Sequence, residues 1–322
     1  MLFRSLAGDA PDGTALSGPG VTGLTRRRLL ATGLGTAAVA AAGAAGLELI
    51  EHGVLPGKTD LAQLDGACEV ASPPLVFGRL GQARSGRFYS QARRREVGYT
   101  IAWPPGHGPG SRLPLVVMLH GEGRDHTEVL SGMTLPQAPA LRINGRRLPP
   151  MAMVAADGGT GYWNPHPGDN PMGMVIDELI PFCQRFGLGR PPHPIATMGI
   201  SMGGYGAILL AEKFPRLISA VAAIGPAVWT SYQQAQAVNR KAYASAADFA
   251  ASDVVTHAAA LAGKPVRVAS GLDDPFQPGV AALARRLPTG HATVIMSAGC
   301  HSGPFFTQQE PPSLAFLARY LS

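Results

Sequence analysis

At 322 residues, with 46% hydrophobic and only 15% charged side chains, the chain can bury a substantial core and is too apolar for general disorder. Its net charge of +6 is concentrated in two local clusters, Arg26–Arg28 and Arg84–Arg95. No aromatic-interleaved basic signature accompanies them, which argues against a nucleic-acid partner. The three cysteines, Cys68, Cys183 and Cys300, lack CxxC spacing and a His-rich neighbourhood, so no metal site is expected. In an oxidising compartment two of them could pair, and their spacing does not say which.

In chain order, the first element is a signal-like segment. Thr25-Arg26-Arg27-Arg28-Leu29-Leu30 precedes an uncharged Ala/Gly/Leu run that lasts until Glu48. Positive residues before a mildly apolar run read as an export signal. The paired arginines resemble the Tat type, whose translocase exports folded proteins. Residues 1–52 are therefore read as this signal, and the protein as secreted or held in the cell envelope. The run is about long enough to cross a bilayer, so a retained membrane anchor is the alternative to cleavage. Residues 53–92, rich in Gly, Pro and Arg, read as a linker with at most an initial strand.

A catalytic domain is expected over 93–322. "REVGYTIAWPP", "LPLVVMLHG" and "MAMVAADGG" read as strands. "MGMVIDELIPFCQRFG" carries apolar residues at helical spacing and stops near Gly187. Then come the strand "HPIATMGIS", the helix "GGYGAILLAEKFP" and the strand "LISAVAAIG". Residues 229–262 show no strand and read as a small helical insertion, a possible cap. The strand "KPVRVASG", the helix "GVAALARRLP", the strand "HATVIMSAG" and the helix "PSLAFLARYLS" follow. Short, unalternating apolar strands separated by helices predict an α/β fold with a mostly parallel sheet buried on both faces.

Within this frame "GISMGGYG" places Ser201 between a strand and a helix. A GxSxG is weak evidence in a chain with 41 glycines, but this is the context of a nucleophile elbow. Side chains at positions 199 and 203 would collide across so sharp a turn. A serine nucleophile needs a base and an acid, in the chain order Ser, acid, His. Of the downstream histidines, His291 opens its strand, His257 falls in the insertion, and His301 follows a strand at its carboxyl end, where catalytic groups gather. The acid is expected after "KPVRVASG", as Asp273 or Asp274, with Asp274 favoured. Oxyanion donors are expected from the backbone N–H of Met202 and of Glu122, after "LVVML". His120 is read as loop support and His126 as a solvated loop residue.

These residues together resemble the α/β-hydrolase superfamily, and within it the esterase group that includes esterase D and the antigen 85 mycolyltransferases. The likeness spans Arg94 to Ser322 and rests on "LPLVVMLHGEG", "GISMGG", "GLDDPF", "GCHSG" and the closing "LAFLARYL". "AADGGTGYWNPHPGDNPMGMVIDELIPF" is similar to a family segment in which Asp-Gly-Gly and Tyr-Trp precede a helix near the pocket. The resemblance supports Asp274 as acid and His301 as base. It also suggests Tyr162 and Trp163 as substrate-binding residues, against an even alternative as packing anchors. The expected protein is an exported serine esterase acting on small-molecule or lipid esters without a cofactor. Its rivals are an acyltransferase using an envelope sugar or lipid as acceptor, and a catalytically silent binding protein of the same fold.

Overall fold

The computed structural model describes residues 68–321. The signal-like segment, its anchor alternative and the first part of the expected linker lie outside the described residues. Eight strands form one sheet in the order β11-β10-β9-β8-β4-β7-β3-β2. They are β2 (Ala83–Ser90), β3 (Arg95–Ala102), β4 (Leu115–Leu119), β7 (Ala152–Ala156), β8 (Ile195–Ile200), β9 (Ile218–Ile224), β10 (Val266–Gly271) and β11 (Ala292–Ser297). β2 pairs with β3, and β3 with β7, antiparallel; the other pairings are parallel. The short strands β1 (Val76–Phe77), β5 (Leu141–Ile143) and β6 (Arg146–Arg147) make a separate small sheet.

The apolar runs become central strands because both their faces are covered. Along β4, Leu115, Val117 and Leu119 face one core while Val116 and Met118 face the other. β7 divides in the same way, with Ala152, Val154 and Ala156 opposite Met153 and Ala155. Each large aliphatic side chain so buried contributes about 1.5–3 kcal/mol. The first face carries a helical run, α1 (171–184), then α2 (Met202–Lys213) and α5 (Gln277–Arg286). The second is covered by α6 (Gly303–Leu321) and by the segment from Val129 to Leu141. The expected α/β sandwich is thus the observed one.

Two boundaries differ from expectation. β2 lies inside the stretch read as linker, because an edge strand needs only one apolar face. Its burial alternates, and its arginines point to solvent. α6 starts at Gly303, nine residues before the expected "PSLAFLARYLS", since the preceding "GPFFTQQEP" also winds as helix, with Pro311 and Pro312 inside it.

The insertion holds α3 (Tyr232–Val238), α4 (Ala246–Ser252) and a 3-10 turn (Ala258–Leu261). Ser231 and Ser245 cap the two helices by accepting from the N–H groups of Gln234 and Asp248. The Tyr205 hydroxyl donates to Ser252 O at 2.6 Å, and the Tyr205 ring meets Tyr243 edge-on at 6.3 Å, fastening the insertion to α2.

Candidate active site

Ser201 occupies the turn between β8 and α2 with φ 57° and ψ −121°, a region that strains any residue except glycine. Its backbone is held there from three sides. Its N–H donates to Ile224 O at 2.9 Å, and its carbonyl accepts from Tyr205 and Ala227, each at 3.0 Å. The expected steric need for glycine is visible in the distances. A Cβ on Gly199 would lie 2.2 Å from Gly203 O, and one on Gly203 would lie 1.9 Å from Leu119 O. Gly206, in the same helix α2, serves a neighbour rather than the turn. A Cβ there would strike the Trp163 ring at 2.6 Å, so this glycine makes room for an aromatic.

A serine at a helix N-cap ordinarily turns its hydroxyl onto the first-turn amides. Ser201 makes no such bond. Its Oγ lies instead 2.8 Å from His301 Nε2. His301 Nδ1 lies 2.8 Å from Asp274 Oδ2, whose side chain is fully buried while that of His301 is 19% exposed. The other oxygen of Asp274 accepts the Phe276 N–H at 2.8 Å, so both carboxylate oxygens are committed. Phe276 and Phe306 flank the imidazole at 5.1 and 4.9 Å. Ser201, Asp274 and His301 therefore converge, each beyond the carboxyl end of a parallel strand: β8, β10 and β11. Asp273, the alternative acid, is not the residue that meets His301; its N–H donates to Gly299 O at 3.1 Å.

The loop after β4 closes on the same point. A Cβ on Gly121 would sit 3.6 Å from Ser201 Cβ. His120 is wholly buried, and both of its ring nitrogens are used. Its Nε2 accepts the Gly158 N–H at 2.8 Å, so the proton resides on Nδ1, which donates to Gly121 O at 2.7 Å. Burial lowers its pKa and keeps the ring neutral. With the Gly121 carbonyl turned to His120, the Glu122 N–H of the same trans peptide points the opposite way. Met202, the first residue of α2, carries one of the amides that a helix start leaves unpaired.

His126 is not a solvated residue as expected. Its ring lies 2.8 Å from Thr100 Oγ1, and its N–H donates to Asp157 Oδ1 at 3.0 Å, which braces the loop against β3.

Next to Ser201 and His301 opens a cavity of about 660 Å³, walled by residues 121–137, Ile200 and the start of α6. Val129, Leu130, Met133 and Phe306 supply apolar wall, and Arg124 and Glu128 form an exposed ion pair at 2.8 Å beside it. Tyr162 and Trp163 are not in this wall. They are 2% and 0% exposed and act as packing anchors. Trp163 Nε1 donates to His120 O at 3.3 Å, and Tyr162 packs among Tyr205, Trp229 and Tyr243. Burial pushes the Tyr162 hydroxyl far above its ordinary pKa. Nor does the insertion wall the cavity as a cap would. It reaches the rim through Asn239 Nδ2, which donates to Glu122 Oε1 at 2.7 Å.

One feature was left open by the sequence and another was not foreseen. Cys68 and Cys300 form a disulfide, whereas Cys183 is a buried free thiol whose pKa burial pushes up to about 12. Glu310, fully buried on α6, accepts the N–H groups of Ser131 (2.5 Å) and Gly132 (3.1 Å) and so fastens the cavity wall. Burial raises its pKa to about 7.

The mostly parallel sheet, the helices on both faces and the serine at the strand-to-helix turn define an enzyme of the α/β-hydrolase fold. The chain belongs to the esterase family whose description reads "Putative esterase", matched over residues 90–319, and is a carboxylic ester hydrolase. Solved structures agree on the fold. A ferulic acid esterase superposes with a TM-score of 0.62 at 16% identity, covering 74% of this chain and 99% of its own. The S-formylglutathione hydrolase of Agrobacterium tumefaciens gives 0.61 at 18% identity, covering 77% and 99%. MPT51 (FbpC1) of Mycobacterium tuberculosis gives 0.55 at 14% identity, covering 78% and 100%. Among curated proteins no sequence matches the chain.

Proposed function

We propose that the protein is an exported serine esterase in which Ser201 is the nucleophile, His301 the general base and Asp274 the group that orients it. The observation that carries this reading is the unbroken chain from Ser201 Oγ through His301 to buried Asp274, with both links at 2.8 Å. Ser201 Oγ attacks the ester carbonyl as its proton passes to His301 Nε2. The amides of Met202 and Glu122 receive the developing oxyanion. Collapse of the tetrahedral species breaks the ester C–O bond, and the alcohol leaves with the proton from His301. Water, deprotonated by the same imidazole, then releases the acid and restores Ser201. The apolar walls of the 660 Å³ cavity suit a hydrocarbon or aromatic portion of the ester.

Export is supported by the signal-like arginines at 26–28 and by the disulfide, since such bonds persist in oxidising compartments. Among the described residues no helix is long and apolar enough to cross a membrane.

The test is hydrolysis of p-nitrophenyl esters from acetate to palmitate by the parent and by Ser201→Ala, with labelling by a fluorophosphonate. The expected outcome is activity and labelling in the parent and neither in the variant. Hydrolysis that survives Ser201→Ala refutes the nucleophile assignment. Faster turnover with an added sugar or lipid alcohol, with its acylated product recovered, identifies a transferase instead.

A further inference from the structure

The first described residues, 68–72, lie upstream of the segment the family model matches, yet they hold the loop that carries His301. That loop runs from the end of β11 at Ser297 to the start of α6 at Gly303. Among the described residues its backbone is held by four bonds: Ser297 O accepts from Leu272 N–H at 2.9 Å, Gly299 O from Asp273 N–H at 3.1 Å, Cys300 O from Ser302 N–H at 2.9 Å and Ser302 O from Phe306 N–H at 3.0 Å. Gly299 has φ +133°, a conformation other residues rarely adopt. The upstream segment adds two contacts to this loop and two to the start of α6. Cys68 is joined covalently to Cys300, the residue before His301, across a sequence separation of 232. Val70 packs over Gly299, where a Cβ would meet its Cγ1 at 3.2 Å. Ala71 O accepts from Gln308 Nε2 at 2.9 Å, and Ser72 Oγ donates to Pro304 O at 3.0 Å.

We propose that Cys68–Ser72 is a strap that positions His301 between Ser201 and Asp274, with the Cys68–Cys300 disulfide as its covalent clasp. The inference rests on the triad reading above. Its contacts fall on Gly299, Cys300, Pro304 and Gln308, so it acts on the imidazole through the loop and the start of α6. His301 must keep two hydrogen bonds at once, and a displacement of about 1 Å at such a group can cost about 100-fold in rate. Opening the clasp requires two electrons and two protons, supplied in the test by dithiothreitol, and yields two thiols.

The experiment compares the parent, Cys68→Ser, and the double variant Ser72→Ala/Gln308→Ala, which keeps the disulfide. Each is assayed with p-nitrophenyl acetate and with a longer ester, oxidised and after treatment with dithiothreitol. Folding is checked by near-UV circular dichroism at the assay temperature. The expected result is a fall in kcat of about 10- to 100-fold for Cys68→Ser and for the reduced parent, with KM changed less than about twofold. Fluorophosphonate labelling of Ser201 slows in parallel, and reoxidation restores the parent but not Cys68→Ser. The double variant loses a few-fold in kcat, and reduction lowers it further. A strap serving stability alone would lower the unfolding midpoint and leave kcat of the folded protein unchanged; that result overturns the proposal. If Cys68→Ser fails to fold, the folded reduced parent and the double variant decide by the same criterion. Should hydrolysis prove independent of Ser201, the triad reading fails first, a result distinct from an active triad indifferent to its strap.

Discussion

Asp274→Asn is the substitution whose consequence the geometry defines most sharply. The wild-type carboxylate has two neighbours, the Phe276 N–H at one oxygen and His301 Nδ1 at the other, both at 2.8 Å. An asparagine has one oxygen and one NH2 group for the same two positions. If the oxygen keeps His301, the NH2 group faces the Phe276 N–H, two buried donors left together, at about 1–3 kcal/mol. If it keeps Phe276, the NH2 group faces Nδ1, which must then accept, and the imidazole proton moves to Nε2. The second arrangement avoids the donor clash and prevails. An Nε2–H imidazole cannot take the Ser201 proton, so kcat should fall by about 10⁴-fold, near 5.5 kcal/mol. The assay is steady-state hydrolysis of p-nitrophenyl acetate, with Asp273→Asn alongside, expected to keep far more activity than Asp274→Asn because it is Asp274 that meets His301. Retention of more than about a tenth of the activity in Asp274→Asn, with loss in Asp273→Asn, would refute the reasoning and transfer the role to Asp273.

Two further outcomes follow from packing and from a buried carboxyl group. Gly203→Ala places a methyl group 1.9 Å from Leu119 O and 2.8 Å from His120 O, backbone atoms that cannot swing aside. A loss of about 1–3 kcal/mol is expected by thermal unfolding, and kcat falls by about 100-fold because the serine turn must shift; wild-type activity would disprove the steric account. Glu212 is 6% exposed, and among the described residues neither of its carboxyl oxygens has a hydrogen-bond partner. Burial, reinforced by Asp253, pushes its pKa up to about 9. Its folded form therefore holds a proton that the unfolded chain releases near pH 4.3, so its stabilising contribution is complete at about pH 4 and is lost as the pH rises to about 9. A neutral Glu212→Gln side chain escapes this loss. The variant should match the parent near pH 4 and exceed it by about 3 kcal/mol at pH 7 in urea unfolding. A difference independent of pH would disprove it.

The order of strands and helices was legible because the central strands are buried on both faces and read as plain apolar runs, "LVVML" and "MAMVAA" among them. Ser201 and His301 were legible for a related reason: each follows a recognisable strand at its carboxyl end. The choice between Asp273 and Asp274 was legible only as a preference, because the two share one turn and it is the burial of Asp274 beside Phe276 and Gly225 that separates them. The aromatic pair shows the limit of residue type. Tyr and Trp suit a pocket and a core equally, and what assigns them to the core is Gly158 and Gly206, whose missing side chains leave space for the indole. β2 was legible only as an initial strand within the linker, since an edge strand with outward arginines has the composition of a linker.

The cavity wall was hidden for a different reason, and its signal lay unused in the sequence. Glu310 holds Ser131 and Gly132 across 179 and 178 positions, a contact no local pattern announces. Its place on α6 does announce something. Phe306, Leu314 and Leu317 form a buried stripe, and Glu310 sits on it, four residues from both Phe306 and Leu314. A charged residue at a core position of an amphipathic helix requires a partner, because an isolated buried carboxylate is too costly to keep. The partners available to a helix packed beside a loop are that loop's amides, and here they belong to the wall over Ser201. The same reasoning explains why the wall can be apolar toward the ligand: its backbone polarity is satisfied from behind, by Glu310, leaving Val129, Leu130 and Met133 for the cavity.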